Sequence, residues 1–167
     1  MEEQKKDVVQ KGVSLPRVVK ELAFHGALPL IEFSIMPNRS RDWLEQAQRD
    51  LEHARASQRE DRHEWACFAA QQAAELAVKA LHLWLGQEAW GHVVARLLMD
   101  LPQKPPADLI ERAKVLDNFY IPTRYPNGHP EGAPFQHYGK YQSEEAIQNA
   151  GAIIEYVRAR MAEEKQR

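Results

Sequence analysis

Cysteine is almost absent from this chain. Cys67 is the single one among 167 residues, so an internal disulfide and a four-cysteine zinc site are both excluded. A lone thiol fits a reducing compartment. Long hydrophobic runs are missing as well. No stretch reaches the roughly 18 apolar residues that a spanning helix needs; residues 13–35 come nearest and are interrupted by Arg17, Lys20, Glu21 and Glu32. No membrane association is expected, and because the N-terminus lacks a basic-flanked apolar run with a small-residue cleavage site, a cytoplasmic location is expected. Charge of one sign is also lacking. A net charge of −2 argues against coating nucleic acid by bulk charge, while leaving room for a local anion site. The sequence holds no Gly-x-Gly-x-x-Gly, no Gly-Lys-Ser/Thr phosphate loop and no Gly-x-Ser-x-Gly elbow. No cofactor is implied, and no useful stretch alternates as a strand does.

What is present is helical periodicity. Residues 1–35 have little of it, and are read as an N-terminal extension, an appendage from an upstream start codon; the domain proper is placed at 36–167, opening at Met36. Asn38 or Ser40 is a candidate cap for a helix over residues 41–57, with Trp43, Ala47, Leu51 and Ala54 at helical spacing. The strongest helix, residues 62–85, is apolar almost all round, as a central helix should be, and Gly86 is its stop. "GHVVARLLMDL" predicts a short helix with Val94, Leu97, Leu98 and Leu101 inward. "ADLIERAKVLDNFY" predicts another, with Leu109, Ala113, Leu116 and Tyr120 on one face. Ser143 is expected to cap a last helix to about residue 164, whose inner face is Ala146, Ile147, Ala150, Ile153, Ile154, Val157 and Met161. The sum is an all-α, up-and-down bundle of four to five helices.

The central helix has one exception to its apolar character. At 100° per residue, Glu64, Gln71, Glu75, Lys79 and His82 fall within about 80° of one another, with Gln72 at the margin. The ordinary reading is a solvent-facing edge carrying a Glu75–Lys79 pair at i, i+4. The sharper one is the polar wall of a cleft or a dimer seam.

The second exception is the stretch "YIPTRYPNGHPEGAP", residues 120–134, with four prolines and two glycines between helical segments. Residues before proline are driven out of the helical region, so Ile121, Tyr125 and His129 should be extended and the loop stiff. Arg124 presents a planar fork suited to phosphate oxygens. Tyr120 and Tyr125 can stack on a base, and His129 can move a proton near neutral pH. An Arg and a His beside an RNA phosphate suffice for metal-free cleavage, the His as acid or base and the Arg stabilising the charged transition state. The Arg-x(4)-His spacing is a weak motif, since chance supplies such pairs in a chain of this composition. The structural alternative has Arg124 tying the loop down, to Asp117 or a helix C-terminus, with His129 exposed. His63 and Cys67 lie one helical turn apart, but no further ligand is spaced to join them, and Cys67 reads as core. His92, after Gly91, reads as a structural hydrogen-bonding residue.

Taken in order, "RDWLEQAQRDLEHA", "WACFAAQQAAELAVKALHLWLG", "GHVVARLLMDL" and "LDNFYIPTRYPNGHPEGAP" resemble HEPN-domain proteins over residues 39–160. The resemblance implies a bundle of about five helices, commonly a homodimer, often acting in toxin–antitoxin-like systems with a minimal nucleotidyltransferase as partner. The branch with "TRYP" is usually described as nucleotide-binding. It also keeps positions like Glu75, Lys79, His92, Asp117 and Tyr120, as a network under the loop or a ligand pocket. The expected function is therefore a nucleotide- or RNA-phosphate-binding module using Tyr120, Arg124, Tyr125, Glu75 and Lys79. Another branch resembles metal-independent endoribonucleases, often toxins, with an Arg-x(4–6)-His motif near the start of the last helix. Carried over, that motif falls on Arg124 and His129, as catalytic residues in a cleft between two copies. Here it departs from the pattern by lying in a Pro/Gly-rich loop ahead of the last helix. A non-catalytic dimeric scaffold is the third possibility.

Overall fold

The computed structural model describes residues 38–163; the proposed appendage and the start at Met36 lie outside the described residues. Within them are five α-helices and no strand: α1 Ser40–Arg59, α2 His63–Trp84, α3 Val94–Met99, α4 Ala107–Asp117 and α5 Lys140–Glu163. Single 3₁₀ turns at Pro126–Gly128 and Pro134–Gln136 punctuate the α4–α5 connection.

The short link between α1 and α2 makes them antiparallel. Their joined end is held to the start of α5, where Gln58 donates to the Ser143 Oγ at 3.0 Å and His63 Nδ1 lies at 3.0 Å from the same oxygen. At the far end, Arg41 of α1 lies over the Trp84 ring of α2. Arg160, near the end of α5, bonds Gln103, which precedes α4, so α4 and α5 are antiparallel as well. The four long helices therefore run up, down, up, down, with short α3 inserted before α4.

The core follows the sequence pattern closely. Leu81, Leu98, Leu101, Leu116, Ile153 and Val157 are fully buried, each contributing about 1.5–3 kcal/mol relative to exposure. On α2 the buried positions are mostly alanine: Ala66, Ala69, Ala70, Ala73, Ala74, Ala77 and Ala80. Small side chains let α1 and α5 approach this helix closely. Gly86 ends α2 as expected: at φ +72° it lets its own N–H reach the Leu83 carbonyl and the Gln87 N–H reach that of His82, the double closure of a Schellman turn.

Of the two candidate caps for α1 one holds, and two other expectations change. Asn38 caps α1 from two residues ahead, its Oδ1 accepting the Ser40 N–H at 2.9 Å, whereas Ser40 is the first helical residue. Trp43 is at the surface rather than inside. Ser143 is not a cap. Helix α5 starts three residues earlier, and the fully buried Ser143 hydroxyl donates back to the Lys140 carbonyl at 3.0 Å, a bond serine makes within helices.

Candidate functional site

The polar stripe on α2 is not a solvent-facing edge. Gln71, Glu75 and His82 are all less than 5% exposed. Their partners come from the segment that climbs back along α2 after Gly86. His82 Nε2 lies 2.9 Å from the Leu97 carbonyl and Nδ1 at 2.9 Å from the Gln87 amide oxygen. Gln71 donates to the His92 carbonyl at 3.0 Å.

Glu75 is the centre of this network. Lys79 Nζ is 2.7 Å from its Oε1, Gln71 and Gln72 donate to Oε2 at 3.3 and 3.4 Å, and His92 Nδ1 lies at 3.1 and 3.3 Å from the two oxygens. An ionised carboxylate has room for several donors, and inside a protein it needs them. Asp117, at the end of α4, is the second carboxylate nearby. It accepts the N–H groups of Val94 and Ala95 at 2.6 and 3.1 Å, so it caps α3. Burial pushes its carboxyl above the usual range, the two N–H bonds pull it back, and Glu75 adds to the rise. Arg124 is therefore not tied to Asp117.

The loop is built on its own backbone. The Ile121 carbonyl accepts the N–H groups of Arg124 and Tyr125, and Thr123 Oγ1 donates to the Phe119 carbonyl at 2.6 Å. Tyr125 and His129, each before a proline, are extended as expected. Arg124 folds back so that Nε and Nη2 both donate to the Tyr120 carbonyl, at 2.9 and 2.7 Å. Its guanidinium carbon lies 4.3, 4.8 and 5.1 Å from the ring centres of Phe68, Tyr120 and Tyr125. Cation–π attraction to three rings and two hydrogen bonds hold the fork in one orientation.

Stripe and loop meet through one stack. The His92 ring lies on the Tyr120 ring, centroids 4.6 Å apart and planes 15° from parallel. The series Lys79, Glu75, His92, Tyr120, Arg124, Tyr125 is thus continuous, running from the buried interior to a surface where Tyr125 is 52% exposed and Trp65, edge-on to Phe68 with centroids 6.1 Å apart, is 45% exposed. Arg124 and His129 are not brought together by any hydrogen bond or ring contact. His129 Nε2 lies 2.8 Å from the Pro122 carbonyl, and its ring stacks on His137 at 3.9 Å, 1° from parallel. Cys67 lies in the core, as expected. Burial, with Glu64 and Glu145 adding, pushes its thiol up to about 12, which keeps it protonated, while His63 is engaged with Ser143.

Two contributors carry no site signal in their residue types or spacing, although the family resemblance groups His92 with Glu75. Phe68 reads as core on an apolar helix, and nothing local tells that an arginine 56 positions later lies on it. His92 reads as structural; its pairing with a glutamate 17 residues upstream is a tertiary contact without a local signal.

Among the described residues no helix is long and apolar enough to cross a membrane. No curated protein is a significant match. Three solved structures are similar. TT1696 from Thermus thermophilus shares 54% identity at a TM-score of 0.72, over 74% of this chain and 98% of that one. ST0689, described as an archaeal HEPN homologue, shares 41% at 0.66, over 75% and 99%. An HEPN domain protein of Thermotoga maritima, tm0613, shares 32% at 0.60, over 72% and 98%. The HEPN domain family matches residues 40–161, which takes in four of the helices, all but the last two residues of α5, and the loop, and the chain belongs to that family.

Proposed function

We propose that this HEPN domain binds a phosphate of a nucleotide or of RNA at the loop of Tyr120, Arg124 and Tyr125. The carrying observation is the state of Arg124. The edge made by Nε and Nη2 is spent on the Tyr120 carbonyl, while Nη1 has no hydrogen-bond partner among the described residues. A guanidinium fixed by one edge offers the other, of Nη1 and Nη2, for bidentate contact with phosphate oxygens. The exposed rings of Tyr125 and Trp65 are suited to stacking on a base. Glu75 and Lys79 act below this surface, holding His92 and through it Tyr120.

We further infer from family membership that the domain works as a homodimer with a minimal nucleotidyltransferase partner, in a toxin–antitoxin-like system. Cleavage by Arg124 and His129 as a pair is the weaker reading, because the His129 Nε2 and ring face are both engaged elsewhere. A pure scaffold leaves the outward edge of Arg124 without a role. Isothermal titration with ATP and with short RNAs tests the proposal. Wild-type protein is expected to bind, and Arg124→Lys, which keeps charge but loses the fork, to bind about tenfold more weakly. Absence of heat at millimolar ligand for both ligand types overturns the reading. RNA left intact in EDTA is expected alongside binding.

A further inference from the structure

We propose that His92 reads a ribose hydroxyl of the ligand, so that the site takes ribonucleotides in preference to deoxyribonucleotides. The inference rests on the phosphate-binding reading and adds the substrate class.

The tautomer carries the argument. The Glu75 oxygens already accept from Lys79, Gln71 and Gln72, and the carboxylate meets His92 Nδ1 as an acceptor too. The hydrogen of the neutral ring therefore sits on Nδ1, and Nε2 keeps a lone pair. Glu75 is buried, with 5% of its side chain exposed, whereas the His92 side chain is 54% exposed. Nε2 lies across the ring from the buried carboxylate. It has no partner among the described residues, and in the neutral ring it is an acceptor. The ring is also fixed, flat against Tyr120, with its own carbonyl held by Gln71.

An acceptor cannot bind an ionised phosphate oxygen. It needs a donor, and the donor that separates RNA from DNA is the 2′-hydroxyl. The position fits. Arg124 lies 4.8 Å from the centre of the same Tyr120 ring on which His92 stacks at 4.6 Å. The guanidinium carbon and the centre of the His92 ring are therefore no further apart than those two separations combined, within the span of a nucleotide. Arg124 and His92 divide the ligand between them, anion to one and sugar to the other.

Titration of the full chain with ATP and with dATP tests this. ATP is expected to bind about 3–10-fold more tightly, the effect of one hydrogen bond. His92→Phe, which keeps a ring for Tyr120 but lacks the acceptor, is expected to bring the ATP and dATP affinities together. Equal affinities in the wild-type protein, a comparison needing no variant, overturn the proposal while leaving phosphate binding intact. A preference that survives in a folded His92→Phe also overturns it. Failure of both nucleotides to bind overturns the phosphate reading itself.

Discussion

The Lys79 ammonium and the Glu75 carboxylate are 2.7 Å apart, with only 14% and 5% of their side chains exposed. Such a pair holds because each charge answers the other out of water. Removing one partner leaves the second uncompensated, so Glu75→Ala is expected to destabilise the domain by about 3–5 kcal/mol. The urea midpoint at unchanged slope measures it. The Glu75→Leu, Lys79→Met double variant removes both charges and is expected to recover most of the loss. A single variant within about 1 kcal/mol of wild type refutes this view of the network.

Arg124 is expected to matter to the loop as well as to ligand. Arg124→Ala removes two hydrogen bonds and three ring contacts, and a loss of about 1–2 kcal/mol should follow. Thermal unfolding measures it. An unchanged midpoint would mean that the fork is not held in solution as it is here.

Two glycines offer opposite outcomes. A Cβ on Gly128 would lie 2.8 Å from Pro122 Cα, a backbone atom that cannot step aside, so Gly128→Ala is expected to cost about 1–3 kcal/mol. A Cβ on Gly151, within α5, meets nothing within 4 Å, and Gly151→Ala is expected to stabilise by about 0.5–1 kcal/mol. Chemical denaturation of both variants checks the signs.

Cys67 should be inert in the folded protein. With its thiol pushed up to about 12, roughly one molecule in ten thousand carries the thiolate at pH 8, and the thiolate is the nucleophile. A disulfide reagent such as DTNB is expected to leave native protein unmodified over hours and to react at once in urea. Rapid native reaction would place Cys67 outside the core.

Asp117 has a pH signature of defined sign. Burial raises its folded-state value above the ordinary 3.8, so the folded protein holds that proton more tightly than the unfolded chain. The resulting stabilisation is complete below the ordinary value and is lost as pH rises through the raised one. Asp117→Asn is expected to remove that part of the stability–pH profile, measured by denaturation across the acid range. A variant profile identical to wild type would show that Asp117 titrates normally.

The helices are legible because their apolar residues recur at the helical period, and Gly86 stops α2 as its sequence suggests. The stripe on α2 is legible only as a stripe. Periodicity gives the direction in which Glu75 points, not whether water or another segment lies there, and the segment covering it returns from Gln87 to Val93 without a periodicity of its own. The start of α5 departs from expectation because a serine ahead of two glutamates is a good cap signal; what overrides it is tertiary, the buried bonds of Ser143 to Gln58 and His63. The stiffness of the loop and the importance of Arg124 are visible in residue types. The partner of Arg124 is not, since a main-chain carbonyl leaves no mark in a sequence.

The alanine face of α2 has a consequence for how the domain moves. Alanine gives up no rotamer freedom on burial, and the helix that carries Glu75 and Lys79 is covered by close-packed neighbours along most of its length. Its amide hydrogens should therefore exchange with solvent only when the whole bundle opens, whereas those of the 3₁₀ turns at Pro126–Gly128 and Pro134–Gln136 exchange through local opening. The domain is thus divided into a rigid foundation beneath Tyr120 and a more yielding rim. A ligand seated on Arg124 would protect the rim directly and the foundation only through the stability of the entire fold.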